Sequence, residues 1–438
     1  MRIEQIKNMI QSAHLNFLIG SGVSRPYLNT LGGVETWLTE LSNNPSKDDV
    51  KDDIVKCSIL NEYLTGVIIP NLESEIPKLH DNYRQKDRKS KEDTPKPSED
   101  EKRAKAFDST ICQYRIFLKS FHTLLSRRGT NLKNKTLNLF TTNIDMLVEY
   151  AYQDLGIEFN DGFSGRKPAI FDDSNFSRQA TKVGMHLQKT SEIPTINYIK
   201  LHGSINWSKG ENDKIEADDL LKNVTSARQS FAEIQPYFLD IKTRQNSYDE
   251  KKEEEENECS FTDLLRGQVS TLKSEEIEPL KNKLHKALED YSKIIMINPT
   301  KRKFRETVMD MPFYELMRLY SNALERENSL MFVAGFSFAD EHLAKITLRA
   351  AANNPTLTVI IFAYNELAKE DIWKALTKQS GIPNNNIIIL TPKEFVASNN
   401  ERENPGKIEI KDIDKLETFD LTSINQYVLN PLILSISK

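Results

Sequence analysis

Four short stretches of the 438-residue chain carry side chains able to bind or break a polar bond: "GSGVSRP" (Gly20 to Pro26), "FTTNIDML" (Phe140 to Leu147), "YIKLHGSINW" (Tyr198 to Trp207) and "GFSFADEHL" (Gly335 to Leu343). In the first, Gly20 and Gly22 allow a tight turn and close backbone approach, and hydroxyls with amides at a helix start can hold phosphate oxygens. A GxG turn also follows many strands for packing alone, so this segment leaves both readings open. Asn143 and Asp145 stand just past an apolar run, where open α/β sheets bind ligands, yet both residue types also serve as turn residues and helix N-caps. His202 has the same strand-end position. It reads either as a satisfied core histidine or as a base, its ordinary pKa near neutrality suiting proton transfer.

The elements that must position these groups are legible as apolar, β-branched runs: Leu15 to Gly20, Leu137 to Thr142, Ile196 to Gly203, Lys293 to Pro299, Leu330 to Phe336, Leu357 to Tyr364 and Asn386 to Leu390. Near-continuous hydrophobicity is the mark of a parallel strand covered on both faces. Helical patterns such as "DMLVEYAYQDL" and "EHLAKITLRAA" follow most of them, which predicts βαβ units and a doubly wound parallel sheet. Two stretches break the rhythm. Residues 84–105 have almost no apolar side chain and read as a mobile loop, and 208–290 reads as an inserted, mainly helical module with an acidic crest at "YDEKKEEEENE". The expected organisation is a discontinuous catalytic domain, 1–207 with 291–399, the insertion at 208–290, and a C-terminal extension at 400–438.

Composition narrows the function. A net charge of −5 offers no basic footprint for a phosphate backbone, so direct nucleic-acid binding is not expected. The "KRKFR" cluster (Lys301 to Arg305) is a solvated face or a partner contact. Three scattered cysteines without a CxxC pair build neither a disulfide framework nor a four-cysteine zinc site, and the seven histidines lack metal-ligand spacing. No GxxxxGK[ST] stretch occurs, which argues against a P-loop nucleotide hydrolase. No apolar run approaches the ~20 residues of a membrane helix and no signal peptide is visible, so a soluble protein in a reducing cytoplasm is expected.

Taken together and in this order, the segments resemble the sirtuin family. "GSGVS" stands for its glycine-rich opening, "TTNID" for its Thr-Gln-Asn-Ile-Asp motif, and "LHGS" for its histidine-glycine motif. "GFSF" stands where the family has a Gly-Thr-Ser turn, and "AYNE" (Ala363 to Glu366) where it has an asparagine before the last helix. The resemblance runs from about Ile10 to Asn399 outside the insertions. It implies a Rossmann-like sirtuin fold with NAD as substrate. Gly20, Ser21, Gly22 and Ser24 would hold the phosphates with Arg25 as counter-charge, and Gly335, Phe336, Ser337 and Asn365 would shape the adenosine end. Thr142 and Asp145 would line the cofactor loop, Asn143 would orient the ribose and the attacking water, and His202 would act as base.

The departures refine this. The zinc module is missing, "RPYLNTLGGVETW" replaces the family's Gly-Ile-Pro-Asp-Phe-Arg segment, and Thr142 replaces its glutamine. No catalytic metal is implied. The pattern resembles bacterial sirtuin-like effectors of anti-phage defence, which hydrolyse NAD to ADP-ribose and nicotinamide. The run "INPTKRKFRETVMDMPFYELMR", the "GFSFADEHL" turn and the chain length are similar to effectors that assemble with a HerA-type hexameric ATPase. The resemblance also implies a homo-oligomer whose activity is gated by assembly. A protein deacylase, an ADP-ribosyltransferase and a non-catalytic assembly subunit remain the alternatives.

Overall fold

The computed structural model describes residues 1–25, 27–30, 33–72, 98–128, 134–184, 190–241, 243, 245, 260–269, 274–297, 312–378, 384–400 and 407–436. In chain order the strands are β1 His14–Ile19, β2 Thr136–Thr141, β3 Glu158–Asn160, β4 Phe163–Ser164, β5 Ile170–Phe171, β6 Thr181–Val183, β7 Thr190–Glu192, β8 Thr195–Lys200, β9 Trp207–Lys209, β10 Ile215–Ala217, β11 Ser329–Ala334, β12 Thr358–Phe362 and β13 Ile387–Leu390. Seven of them form one sheet in the order β13-β12-β11-β1-β2-β8-β3. Every pairing in it is parallel. The fold is the expected α/β class, and six of the seven apolar runs supply its strands. Because the chain leaves β1 toward β2 on one side and later returns to β11 on the other, the strand order reverses beside β1. That is where such sheets open a ligand crevice.

Each face of the sheet is covered, which is why the strands carry no polar alternation. One face packs against the helices Ile3–Ser12, Glu99–Ser126 and Leu147–Tyr152, with Phe17 meeting the edges of Phe117 and Phe121 at centroid distances of 4.9 and 5.7 Å. Burying such a ring contributes about 1.5–3 kcal/mol. The other face packs against the helices Phe313–Glu325, Glu341–Asn353 and Glu366–Thr377. The C-terminal residues 407–436 join the first face rather than trailing off it: Phe419 packs edge-on against Phe362 and Phe395, and Asn425 bonds Gln113.

A line of amides crosses the amino-terminal half of the sheet. Asn160 donates to Asn197, Asn197 to Asn138, and Asn138 to Asn16 at 3.0, 3.1 and 2.9 Å; Asn16 donates to Ser329 Oγ, which ends on the carbonyl of Ala323. Four adjacent strands hold these asparagines in register. A one-residue slip would break every bond in the line.

Three expectations are corrected by the fold. The run Lys293 to Pro299 does not become a strand in its described part, because Ile295 O and Ile297 N bond to Ser204 N and His202 O and hold the turn after β8 instead. The seventh strand is β3, a three-residue, half-buried edge strand with no apolar run to announce it. Residues 99–105 belong to a helix, started by a capping box in which Ser98 Oγ accepts from Glu101 N and the Glu101 carboxylate accepts from Ser98 N; residues 84–97 lie outside the described residues. The expected helical module is entered through β9 and β10, which pair with each other; β10 also pairs with β5 and β5 with β4 in a small antiparallel sheet before the segment turns helical. Its helices Lys222–Ile234 and Ser274–Ser292 share one core with the helices Val34–Asn43 and Asp49–Tyr63, so two distant chain segments build a single helical module. Cys57 is buried there, and that burial pushes its thiol up to about 12. The "YDEKKEEEENE" crest and the "KRKFR" cluster lie outside the described residues.

Candidate active site

The two glycine turns meet backbone to backbone beside β1. Gly335 holds φ +64, and a β-carbon on Gly20 would lie 2.3 Å from Gly335 O, so neither position accepts a side chain without moving the other turn. Gly20 N donates to Ala334 O and Gly22 N to Gly335 O, both at 3.0 Å. These two amides, candidates for phosphate oxygens, are thus engaged in joining the turns. Ser21, Gly22 and Arg25 are exposed at this edge, whereas Ser24 is buried.

Ser24 is instead the hub of a polar cluster with the asparagine loop. Its Oγ lies 2.9 Å from the Tyr114 hydroxyl, 3.3 Å from Asp145 Oδ2, and accepts from Asn143 Nδ2 at 3.2 Å. A serine hydroxyl has one proton. With that proton given to Asp145, Tyr114 must be the donor in the remaining contact, which gives the cluster a single direction ending on the carboxylate. Burial drives the Asp145 carboxyl up, opposed by Lys200, the Leu147 amide and Ser24. Burial and the nearby Asp145 likewise raise the Tyr114 hydroxyl. Asn143 is 7% exposed, and its Oδ1 has no hydrogen-bond partner among the described residues. An orphaned buried acceptor costs about 1–3 kcal/mol. Here it is fixed in place by the bond its own amide nitrogen makes to Ser24.

The asparagine and histidine loops are tied together from below. Thr141 and Lys200 face each other in register, and Asn143 and His202 each stand two residues further on. The Lys200 ammonium, 4% exposed, donates to Asp145 O at 2.6 Å, Ser204 Oγ at 2.7 Å and Glu149 Oε1 at 2.5 Å. One cation thereby holds both loops and neutralises a buried acid. Replacing Lys200 with methionine keeps the stem but strands Glu149, and a loss of about 3–5 kcal/mol is expected in chemical denaturation. The double replacement Lys200→Met with Glu149→Leu should recover most of that loss. A double variant as unstable as the single one would show that the stranded charge is not the cause.

His202 points to the other flank. Its Nε2 lies 2.9 Å from Asp340 Oδ2, whose partner oxygen caps the helix Glu341–Asn353 by accepting from the amides of His342 and Leu343. Burial alone would raise the Asp340 carboxyl, but the His202 bond and charge together with the two amides hold it below the usual carboxylate range. This is the arrangement in which a carboxylate fixes the orientation of an imidazole. The His202 and Asp340 side chains are 19% and 12% exposed, so the pair is reachable at the sheet edge.

The structure therefore brings Gly20, Gly22, Ser24, Asn143, Asp145 and Gly335 into one cluster at the carboxyl edge, with His202 on the next strand end. The Asn143 amide turns toward the Tyr114 side of the sheet and the His202 ring toward the Asp340 side, so a ligand at the edge would lie across the strand ends. Thr142 N bonds Ile19 O and locks β2 to β1. Phe336 packs edge-on against buried Phe338, and Ser337 is exposed. Asn365 caps the helix Glu366–Thr377 by accepting from Ala368 N, a structural task it performs whatever else it touches. Tyr114, Lys200 and Asp340 were not singled out by the sequence. Only Lys200 left a signal, as a charge inside the apolar run "INYIKLHG".

A doubly wound parallel sheet whose switch-point edge gathers a glycine turn, an asparagine loop and a histidine loop defines the class of sirtuin-like, NAD-dependent enzymes. Residues 137–382, more than half of the chain, match the model of the SIR2-like domain, and the chain belongs to that family. The match begins after the first glycine turn, which the sheet nonetheless sets against Gly335. No curated protein matches the chain.

Proposed function

We propose that this protein hydrolyses NAD to ADP-ribose and nicotinamide. The observation that carries the reading is the Asn143 carboxamide: buried at the strand end, oriented by Ser24, and with an oxygen that has no hydrogen-bond partner among the described residues. The C1′–N bond of NAD leaves as neutral nicotinamide, the electron pair staying on the ring nitrogen while water oxygen bonds to C1′. Little acid help is needed, and the problem is one of positioning. Asn143 orients the ribose and the water, and the imidazole of His202, backed by Asp340, takes the proton that the water gives up. Ser21 and Arg25 face outward to meet the phosphates beside the joined glycine turns, and Gly335, Phe336, Ser337 and Asn365 shape the adenosine end.

The chain's departures from the deacylases and its likeness to defence effectors support a cytoplasmic role in depleting host NAD during phage infection. On this reading the protein works as a homo-oligomer, held in check or released by a HerA-type hexameric ATPase. No helix among the described residues is long and apolar enough to cross a membrane. Incubating the purified chain with NAD, alone and with the candidate ATPase, should release nicotinamide and free ADP-ribose without any acyl-lysine peptide. Strict dependence on such a peptide would favour a deacylase, and no release under any of these conditions would leave an assembly subunit.

A further inference from the structure

A cleft of about 350 Å³ opens at the amino-terminal edge of the sheet, at the opposite end of the strands from Asn143 and His202. Its size lies within the range of small-ligand sites. Its floor is the asparagine line described above. Asn138 stands half-buried there, donating once to Asn16 and accepting once from Asn197, which uses half of the four hydrogen bonds a carboxamide can make. Gln179 and Asn322 add further carboxamides to the wall, and Arg178 and Arg326 stand exposed at the rim.

The charged side chains that line this cleft are of one sign. No carboxylate is among its described lining residues. Of the acids near the rim arginines in sequence, Asp173 pairs with Arg318 and Glu325 with Arg349, while Asp172, which feels the charge of Arg178, and Glu327 beside Arg326 lie outside the lining. Exposed guanidinium groups at such a rim are matched to a phosphoryl group, which they bind through paired N–H donors. Neutral carboxamides below them suit hydroxyls or the edge of a heterocycle, since each offers donors and an acceptor side by side. We propose that this cleft binds a sugar or nucleoside phosphate, with the phosphate at Arg178 and Arg326 and the head group over Asn138. The inference does not depend on the reaction at the opposite edge.

Isothermal titration of the full-length chain with ribose 5-phosphate, AMP and inorganic phosphate tests it. At least one of the two organic phosphates should bind saturably, one per chain, and more tightly than inorganic phosphate. The surface double variant Arg178→Glu with Arg326→Glu should weaken it by about tenfold or more. Asn138→Leu should weaken the organic ligands and leave inorganic phosphate unchanged, while Asn143→Ala should alter none of them. Absence of saturable binding overturns the proposal, as does equal binding by the charge-reversed variant. Loss of binding in Asn143→Ala would place the ligand in the carboxyl-edge crevice and refute it too. Should the organic and inorganic phosphates bind alike, with Asn138→Leu without effect, recognition of the head group is disproved.

Discussion

Alanine at position 202 is expected to slow nicotinamide release by roughly 10²- to 10⁴-fold, the usual worth of a positioned acid–base group, with little change in thermal stability. The two halves of this expectation come from the same geometry. His202 bonds Asp340, and on losing that bond Asp340 keeps both helix-capping amides, so its carboxylate is not left without partners. Asp340→Asn should act more mildly, lowering the rate by less than His202→Ala and leaving the substrate KM unchanged, because the amide can still hold the ring. Initial rates over a range of NAD concentrations, with circular dichroism melts alongside, make the comparison. A His202→Ala protein that turns over like the parent removes the imidazole from the mechanism.

Asn143→Ala carries the second large effect, and its signature is a split between activity and stability. Losing the group that orients water and ribose should lower the rate on the order of 10²- to 10³-fold, as removing one preorganised polar contact does elsewhere. Stability should hold or rise by about 1 kcal/mol, because the substitution deletes an acceptor that is buried without a partner among the described residues. Ser24 still has the Tyr114 hydroxyl and Asp145. A structural asparagine would behave in the opposite way, costing stability on removal. Denaturation midpoints that fall in step with activity would mean that Asn143 serves the fold and not the reaction.

The division between what was legible in the sequence and what was not follows sequence separation. Strands buried on both faces write themselves as apolar runs, and the sheet follows from six of them. The run at Lys293 looks the same but its carbonyls and amides go to the turn after β8, a choice that no local pattern expresses. The strand Glu158–Asn160 is too short and polar to be seen. Gly20, Asn143 and His202 were readable because each stands at the end of a run, where a parallel sheet puts its chemistry. Their supports were not. Asp340 lies 138 residues from His202, Tyr114 lies 90 from Ser24, and Lys200 lies 55 from Asp145, so only the closed sheet makes them neighbours.

The shared core of residues 34–72 and 221–296 limits how the protein can be pared down. Excising the later segment, as one would a dispensable loop, would leave Leu38, Ile54 and Leu60 on the earlier helices facing water across the seam. Such a trimmed chain would be sticky rather than minimal. The two pieces must be kept or discarded as a unit, the first following the glycine turn and the second following the strands Trp207–Lys209 and Ile215–Ala217.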